Sequence, residues 1–348
     1  MALTIEQISA LPKIELHVHL DGSVLPQTLI ELAQQQGGEL PVADPDELSA
    51  YMSAPESCQS LNEYLRTFDF VLPYLQSYEA LERVAYELVQ QCADDQVQYV
   101  EVRFAPQLHR QQGLTVAETY EAVISGLRRA EQQFGVMARC IGICLRGHQD
   151  EQNMEVVEAA APFLQRGLVA VDLAGAEALY PPELYAAMFK RAQQLGIPVT
   201  IHAGEAGGAE NIAIAVSQLG AQRIGHGVRL QENPQILQEI ADKHIPLEFC
   251  PISNLQTKAV AEWSLYPIVS YMEQGIHITV NTDNLTVSQT SLTKELMTLQ
   301  ERCGLSDQAI VQLQRNAASA IFLEQPAKAQ FMSDYEAKLL QWVQHNML

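Results

Sequence analysis

Eight short apolar runs recur along the 348 residues, and they restrict the fold more than any other feature of the sequence. They are IELHVHL (14–20), VQYVEVRFA (97–105), ARCIGICL (138–145), LVAVDLAG (168–175), PVTIHAG (198–204), RIGHGV (223–228), PLEFCPIS (246–253) and IHITVNTD (276–283). Their Val/Ile richness and lack of strict alternation read as strands buried on both faces, as in a parallel sheet. Amphipathic segments lie between them. Thr115 is placed to cap a helix that ends before Gly135, Pro182 to Leu195 reads as a second, and Asn233-Pro234 opens a third that runs to about Lys243. Eight strands separated by helices fit a (β/α)8 TIM barrel better than an open doubly wound sheet. No Gly-rich dinucleotide fingerprint follows the first run, which argues further against the open sheet.

The rhythm breaks once, between residues 25 and 95. That stretch is too long for one crossover helix, so extra helices are expected between strands one and two, with a lid-like insertion at about 40–80 over the barrel mouth. From Ser306 onward two further helices are expected to pack outside the barrel. Barrels of this length are routinely single domains, so residues 1–348 are read as one.

Lys and Arg number 21 against 42 Asp and Glu, a net charge of -21. A field of that sign repels phosphate backbones and anionic lipid, so nucleic acid and membrane surfaces are excluded as partners and a small molecule is expected. The six cysteines are scattered, with no Cys-x-x-Cys pair, and several sit in apolar runs. The first residues lack a basic stretch followed by an apolar one, and no run of about eighteen apolar residues occurs. A reducing, cytoplasmic location is the expectation.

In barrels of this kind chemistry sits at the C-terminal strand ends. In the first run His17 and His19 flank Val18, so on a strand both imidazoles share one face. Asp21 follows them. Asp172 and Gly175 lie at the fourth end, His202 and Glu205 at the fifth, His226 on the sixth, Asp283 and Asn284 at the eighth. Three histidines and an aspartate suit a zinc-type ion with a site left for water. The fourth run has no lysine to be carboxylated between two metals, so one ion per chain is expected. One known zinc-site signature, His-x-Glu with Pro-Cys-x-x-Cys, is missing.

LPKIELHVHLDGS, VDLAG, HAGE, RIGHG, CPISN and NTD, in that order and at those strand ends, resemble the adenosine deaminase family of the amidohydrolase superfamily. The resemblance runs from Leu11 to about Glu295. It implies that His17, His19, His202 and Asp283 bind one Zn2+, and that Glu205 hands a proton to purine N1. It implies that His226 orients the attacking water and helps take its proton. Gly175 would offer its amide to purine N3, and Asp21 would hold the ribose 5′-hydroxyl. Asp172 and Ser253 are read as supporting residues, and His109, His148, His244, His277 and His345 as lying away from the site. Leu61, Leu65 and Phe68 are candidates for a hydrophobic wall over a ribose. One departure stands out: the family usually reads NTDD, the second aspartate meeting purine N7, whereas this chain has Asn284 there.

The implied activity is zinc-dependent hydrolytic deamination of adenosine, and of 2′-deoxyadenosine, in purine salvage. The competing readings are deamination of another aminopurine (adenine, an N6-substituted adenine nucleotide or a modified nucleoside) and a non-catalytic binding relative. Asp21 favours a nucleoside, and the intact ligand set with Glu205 favours an enzyme.

Overall fold

The computed structural model describes residues 2–347. Eight parallel strands appear in chain order: β1 (Lys13–His19), β2 (Val97–Phe104), β3 (Met137–Leu145), β4 (Leu168–Ala174), β5 (Thr200–Ala203), β6 (Arg223–His226), β7 (Leu247–Phe249) and β8 (Ile278–Val280). They form two four-stranded parallel sheets, β1 to β4 and β5 to β8. Parallel bridges join the sheets at both seams, Val171 with Val199 and Val18 with Asp283, so the strands run round a TIM barrel as the apolar rhythm predicts.

Alternation decides what each strand shows to the two sides. Ile14, Leu16 and Val18 of β1 are fully buried in the main apolar cluster, shared with the surrounding helices. Glu15, His17 and His19 point the other way, into the barrel. The helices close where their capping chemistry says they should. Thr115 accepts from the Glu118 amide at 3.2 Å while the Glu118 carboxylate takes the Thr115 amide at 2.8 Å, which starts helix Val116–Phe134. Asn233 accepts from the amides of Gln235 and Ile236 ahead of helix Pro234–Asp242.

Two boundaries differ from the sequence reading. The run PLEFCPIS gives a strand of only three residues, because Pro251 has no amide for the ladder and instead begins helix Pro251–Gln256, which carries Ser253. Pro182 opens a 3-10 turn, Pro182–Tyr185, and the α-helix begins at Ala186. Of the two C-terminal helices, Asp307–Ala320 packs across β8 and β1 and so completes the outer ring, while Ala327–Asn346 lies against it.

The segment between β1 and β2 folds into helices, as its length requires. Helix Tyr78–Asp94 is the crossover to β2, and before it come Pro26–Gln36, Pro45–Met52, Leu61–Leu65 and three 3-10 turns. Among the described residues no helix is long and apolar enough to cross a membrane.

Candidate metal and active site

The barrel interior beneath the site is charged rather than apolar. The Glu248 carboxylate, fully buried on β7, accepts from His17 Nδ1 at 2.8 Å, Arg103 Nη2 at 2.8 Å, Arg223 Nε at 2.6 Å and Thr200 Oγ1 at 3.0 Å. Arg103 also donates to Asp172 Oδ2 at 2.8 Å, and Asp172 in turn lies 2.9 Å from His202 Nδ1. One buried guanidinium thus braces both carboxylates that hold His17 and His202. Burial by itself pushes Glu248 and Asp172 up. The groups facing them outweigh it: Arg103 and Arg223 hold Glu248 well below the usual range, and the His202 ring with Arg103 does the same for Asp172.

Above this layer His17, His202, His226 and Asp283 each offer a ligand atom, all within 4.8 Å of one another. His19 Nε2 stands 3.2 Å from Asp283 Oδ1. Five groups therefore converge, and the tightest quartet has His226 where the sequence reading has His19. The positive φ of His226, +62°, turns its ring inward at the strand end, 4.9 Å from the His17 ring.

Hydrogen bonding separates the histidines chemically. His17 and His202 give their Nδ1 protons to carboxylates, which leaves each Nε2 a bare lone pair. His17 Nε2 is buried without a hydrogen-bond partner, as a ligand nitrogen would be with its ion removed. The residues fit a metal on that ground. His226 differs: its Nδ1 faces the Asn254 amide nitrogen at 2.9 Å, and Asn254 Oδ1 is taken by Tyr266 Oη at 3.0 Å. With Nδ1 accepting, the His226 proton sits on Nε2. That makes His226 a donor into the site and a poor ligand. Burial, then the neighbouring His17, keeps its pKa well below the ordinary value, so it is neutral.

Asp283 is aimed by two contacts. Its backbone bridges to Val18, and Ser253 Oγ donates to Oδ2 at 2.6 Å. Glu205 is 3% exposed, with Oε2 lying 3.6 Å from His226 Nε2. Burial first, then the Asp283 and Glu177 carboxylates, raises the Glu205 pKa well above the carboxylate range. The shift favours its protonated, acid form.

These groups open onto a cavity of about 310 Å³. Asp21, Gly175 and Asn284 line it, as do Leu61, Leu65 and Phe68 from the insertion. Asn284 Nδ2 donates to Tyr64 Oη at 2.9 Å, and Tyr64 Oη lies 2.7 Å from Ser288 Oγ, so the insertion is tied to the end of β8. His148, read from sequence as distant, also lines the cavity, because Gly147 turns the chain at the end of β3 back over the mouth. His109 does not; its Nδ1 bonds the Leu75 carbonyl. The sequence reading missed Arg103, Glu248, Asn254, Tyr64 and Glu177. For Arg103 and Glu248 a signal existed, a charge inside the apolar runs VEVRFA and PLEFC.

Comparison with known proteins agrees with this geometry. A family model described as adenosine deaminase matches residues 12–338. An adenosine deaminase of Enterococcus faecalis is 44% identical over 323 residues, 92% of this chain and 95% of the relative. Among solved structures, an adenine deaminase from Arthrobacter aurescens superposes with a TM-score of 0.87 at 25% identity, covering 96% of this chain and 99% of that one. The N6-methyl-AMP deaminase from Arabidopsis thaliana gives 0.83 at 27% identity, covering 96% and 98%. With the family model spanning most of its length and a relative this similar along nearly all of it, the chain belongs to the adenosine deaminase family.

Proposed function

We propose that this protein hydrolytically deaminates adenosine, and 2′-deoxyadenosine, to inosine or deoxyinosine and ammonia. The observation that carries the reading is a buried Glu205, its pKa raised, set 3.6 Å from His226 beside the His/Asp cluster. Adenine C6 is a poor electrophile, because attack there places charge in an aromatic ring. A proton delivered from Glu205 to N1 relieves that charge, and a carboxyl kept protonated at neutral pH is the group for it.

His17, His19, His202 and Asp283 would hold one Zn2+ per chain. When bound, zinc supplies Lewis acidity, which lowers the pKa of water to about 7. His226, donating from Nε2, would hold the attacking oxygen in line with C6; the tautomer favours that orienting role over taking the water's proton. Gly175 would offer its amide to N3, Asn284 an amide hydrogen to N7, and Asp21 its carboxylate to the ribose 5′-hydroxyl. Leu61, Leu65 and Phe68 would cover the sugar and keep bulk water out, with the 40–80 insertion as a lid on a single barrel domain. Asp21 and Asp69 both line the cavity, and two carboxylates there oppose a 5′-phosphate. That favours a nucleoside over the nucleotide named for the Arabidopsis enzyme. Six free cysteines, five of them buried, suit a reducing cytoplasm, where purine salvage takes place.

An ultraviolet assay across adenosine, 2′-deoxyadenosine, adenine, AMP and N6-methyladenosine tests the reading. Adenosine and deoxyadenosine should have the highest kcat/KM. A preference for adenine or AMP would reassign the substrate, and no turnover of any of the five by zinc-loaded protein would remove the activity.

A further inference from the structure

Glu177 sits two residues beyond Gly175, in the loop that leaves β4, and is 2% exposed. Its carboxylate accepts from four successive backbone amides of the loop that leaves β5: Gly204 at 2.8 Å, Glu205 at 3.0 Å, Ala206 at 2.8 Å and Gly207 at 2.8 Å. Asn211 Nδ2 adds a fifth donor at 3.0 Å. A carboxylate has about four lone-pair sites, so this one is saturated by N–H groups alone. The local sequence is built around it. A Cβ placed on Gly207 would lie 2.7 Å from Glu177 Oε1 and 2.1 Å from Asn211 Nδ2, so a side chain there would push both groups off the loop amides.

We propose that Glu177 is a positioning residue that sets the aim of Glu205, locking the loops that face purine N3 and N1 into one register; this rests on the deaminase reading above. Loop amides that merely needed partners would find them in water at little cost. A single carboxylate spanning two strand ends does more, because it fixes the peptide planes on either side of the Glu205 Cα and so the direction of its side chain. Proton transfer needs that precision, since a misplacement of about 1 Å at a reacting group costs about 10²-fold in rate. Glu177 itself does not line the cavity formed with Gly175 and Glu205, which places it behind the substrate rather than against it.

The test is a double-mutant cycle on the zinc-loaded protein, with Glu177→Gln, Glu205→Gln and the two combined. Glu177→Gln keeps the volume but turns an NH2 group toward N–H donors. It should lower kcat by about 10²-fold with KM within about threefold and the bound zinc unchanged. In the Glu205→Gln background it should cause almost no further loss, because the group it aims is already disabled. An undiminished kcat, or the same loss in both backgrounds, would overturn the proposal. Gly207→Ala attacks the contact from the other side and should give the same pattern if Glu177→Gln fails to fold. Loss of fold in both variants would make Glu177 a stability residue and also overturn the proposal. Whichever aminopurine the wild-type protein prefers serves as substrate, so a failure of the adenosine reading shows in the wild-type protein and a failure of this one only in the variants.

Discussion

His17 donates its Nδ1 proton to Glu248 at 2.8 Å, and the opposite ring nitrogen is left buried without a hydrogen-bond partner. The carboxylate fixes both the tautomer and the orientation of the ring, as carboxylates do behind metal-binding histidines. Glu248→Gln should therefore weaken zinc affinity about 10–100-fold, measured by competition with a chromogenic chelator. It should also destabilise the apoprotein, because Arg103 and Arg223 lose their shared buried counter-charge. Unchanged zinc affinity would remove Glu248 from the site.

Metal removal gives the second expectation. Exhaustive chelation should abolish activity and zinc should restore it, with close to one ion per chain by elemental analysis. His17→Ala and Asp283→Ala should each lose metal and activity together, since an incomplete ligand set weakens the hold on the ion and misdirects its water. Full turnover by metal-free protein is the contrary result.

Glu205→Gln should keep its zinc and still bind a purine riboside, while kcat falls at least about 10²-fold, the scale of general acid–base catalysis. The wild-type pH profile carries the sign. Glu205 acts in its protonated form, and its pKa is raised, so activity should extend above the ordinary carboxylate range and decline as pH climbs and the carboxyl ionises. An activity that instead rises across that range, as expected of a base that must be ionised, would contradict the assignment.

Asn284 donates one amide hydrogen to Tyr64 and has a second to offer. Purine N7 accepts at every pH, so an asparagine can meet it without the raised pKa an aspartate would need. 7-Deazaadenosine should accordingly lose about 1–3 kcal/mol in kcat/KM, as a buried donor is left unpaired. Tyr64→Phe should shrink that discrimination by freeing the amide to turn. Equal kcat/KM for the two nucleosides would show that Asn284 does not read N7.

Glu295 tests the pH dependence of stability. Burial raises its pKa to about 8 against hydrogen bonds from Thr290 and the Ile252 amide that favour the charged form. A raised folded-state pKa contributes stability that is fully present below the unfolded value near 4.5 and is lost as pH climbs through about 8. Glu295→Gln has no proton to lose, so its melting temperature relative to wild type should improve between pH 5 and pH 9. A difference that stays constant across that range would mean the carboxyl is ionised throughout.

Much of the architecture is legible in the chain itself. Buried parallel strands must be apolar on their outer faces, and that requirement writes the runs around Ile14, Val102 and Val171 directly into the sequence. Thr115 and Asn233 mark helix starts because capping is local chemistry. The residues of the proposed metal site are legible for the same reason. A strand end delivers His17 and His19 to one face whatever the rest of the chain does, and the barrel rule gathers His202, His226, Glu205 and Asp283 at that end.

What tertiary structure alone decides is which atom of each residue faces which partner. Nothing near His226 in sequence says that its Nδ1 meets Asn254, twenty-eight residues on, and that contact separates a donor from a ligand. Glu177 reads as an ordinary loop acid until the fold brings four amides from another strand end onto it. Arg103, Asp172 and Glu248 come from three strands and can share charge only inside a closed barrel, where water is too scarce to satisfy them separately. The sequence determined the residue types and the end of the barrel at which they lie, because backbone geometry and burial act over short stretches of chain. Tautomers, protonation states and aim depended on the assembled barrel, because they are set by neighbours that only the fold makes adjacent.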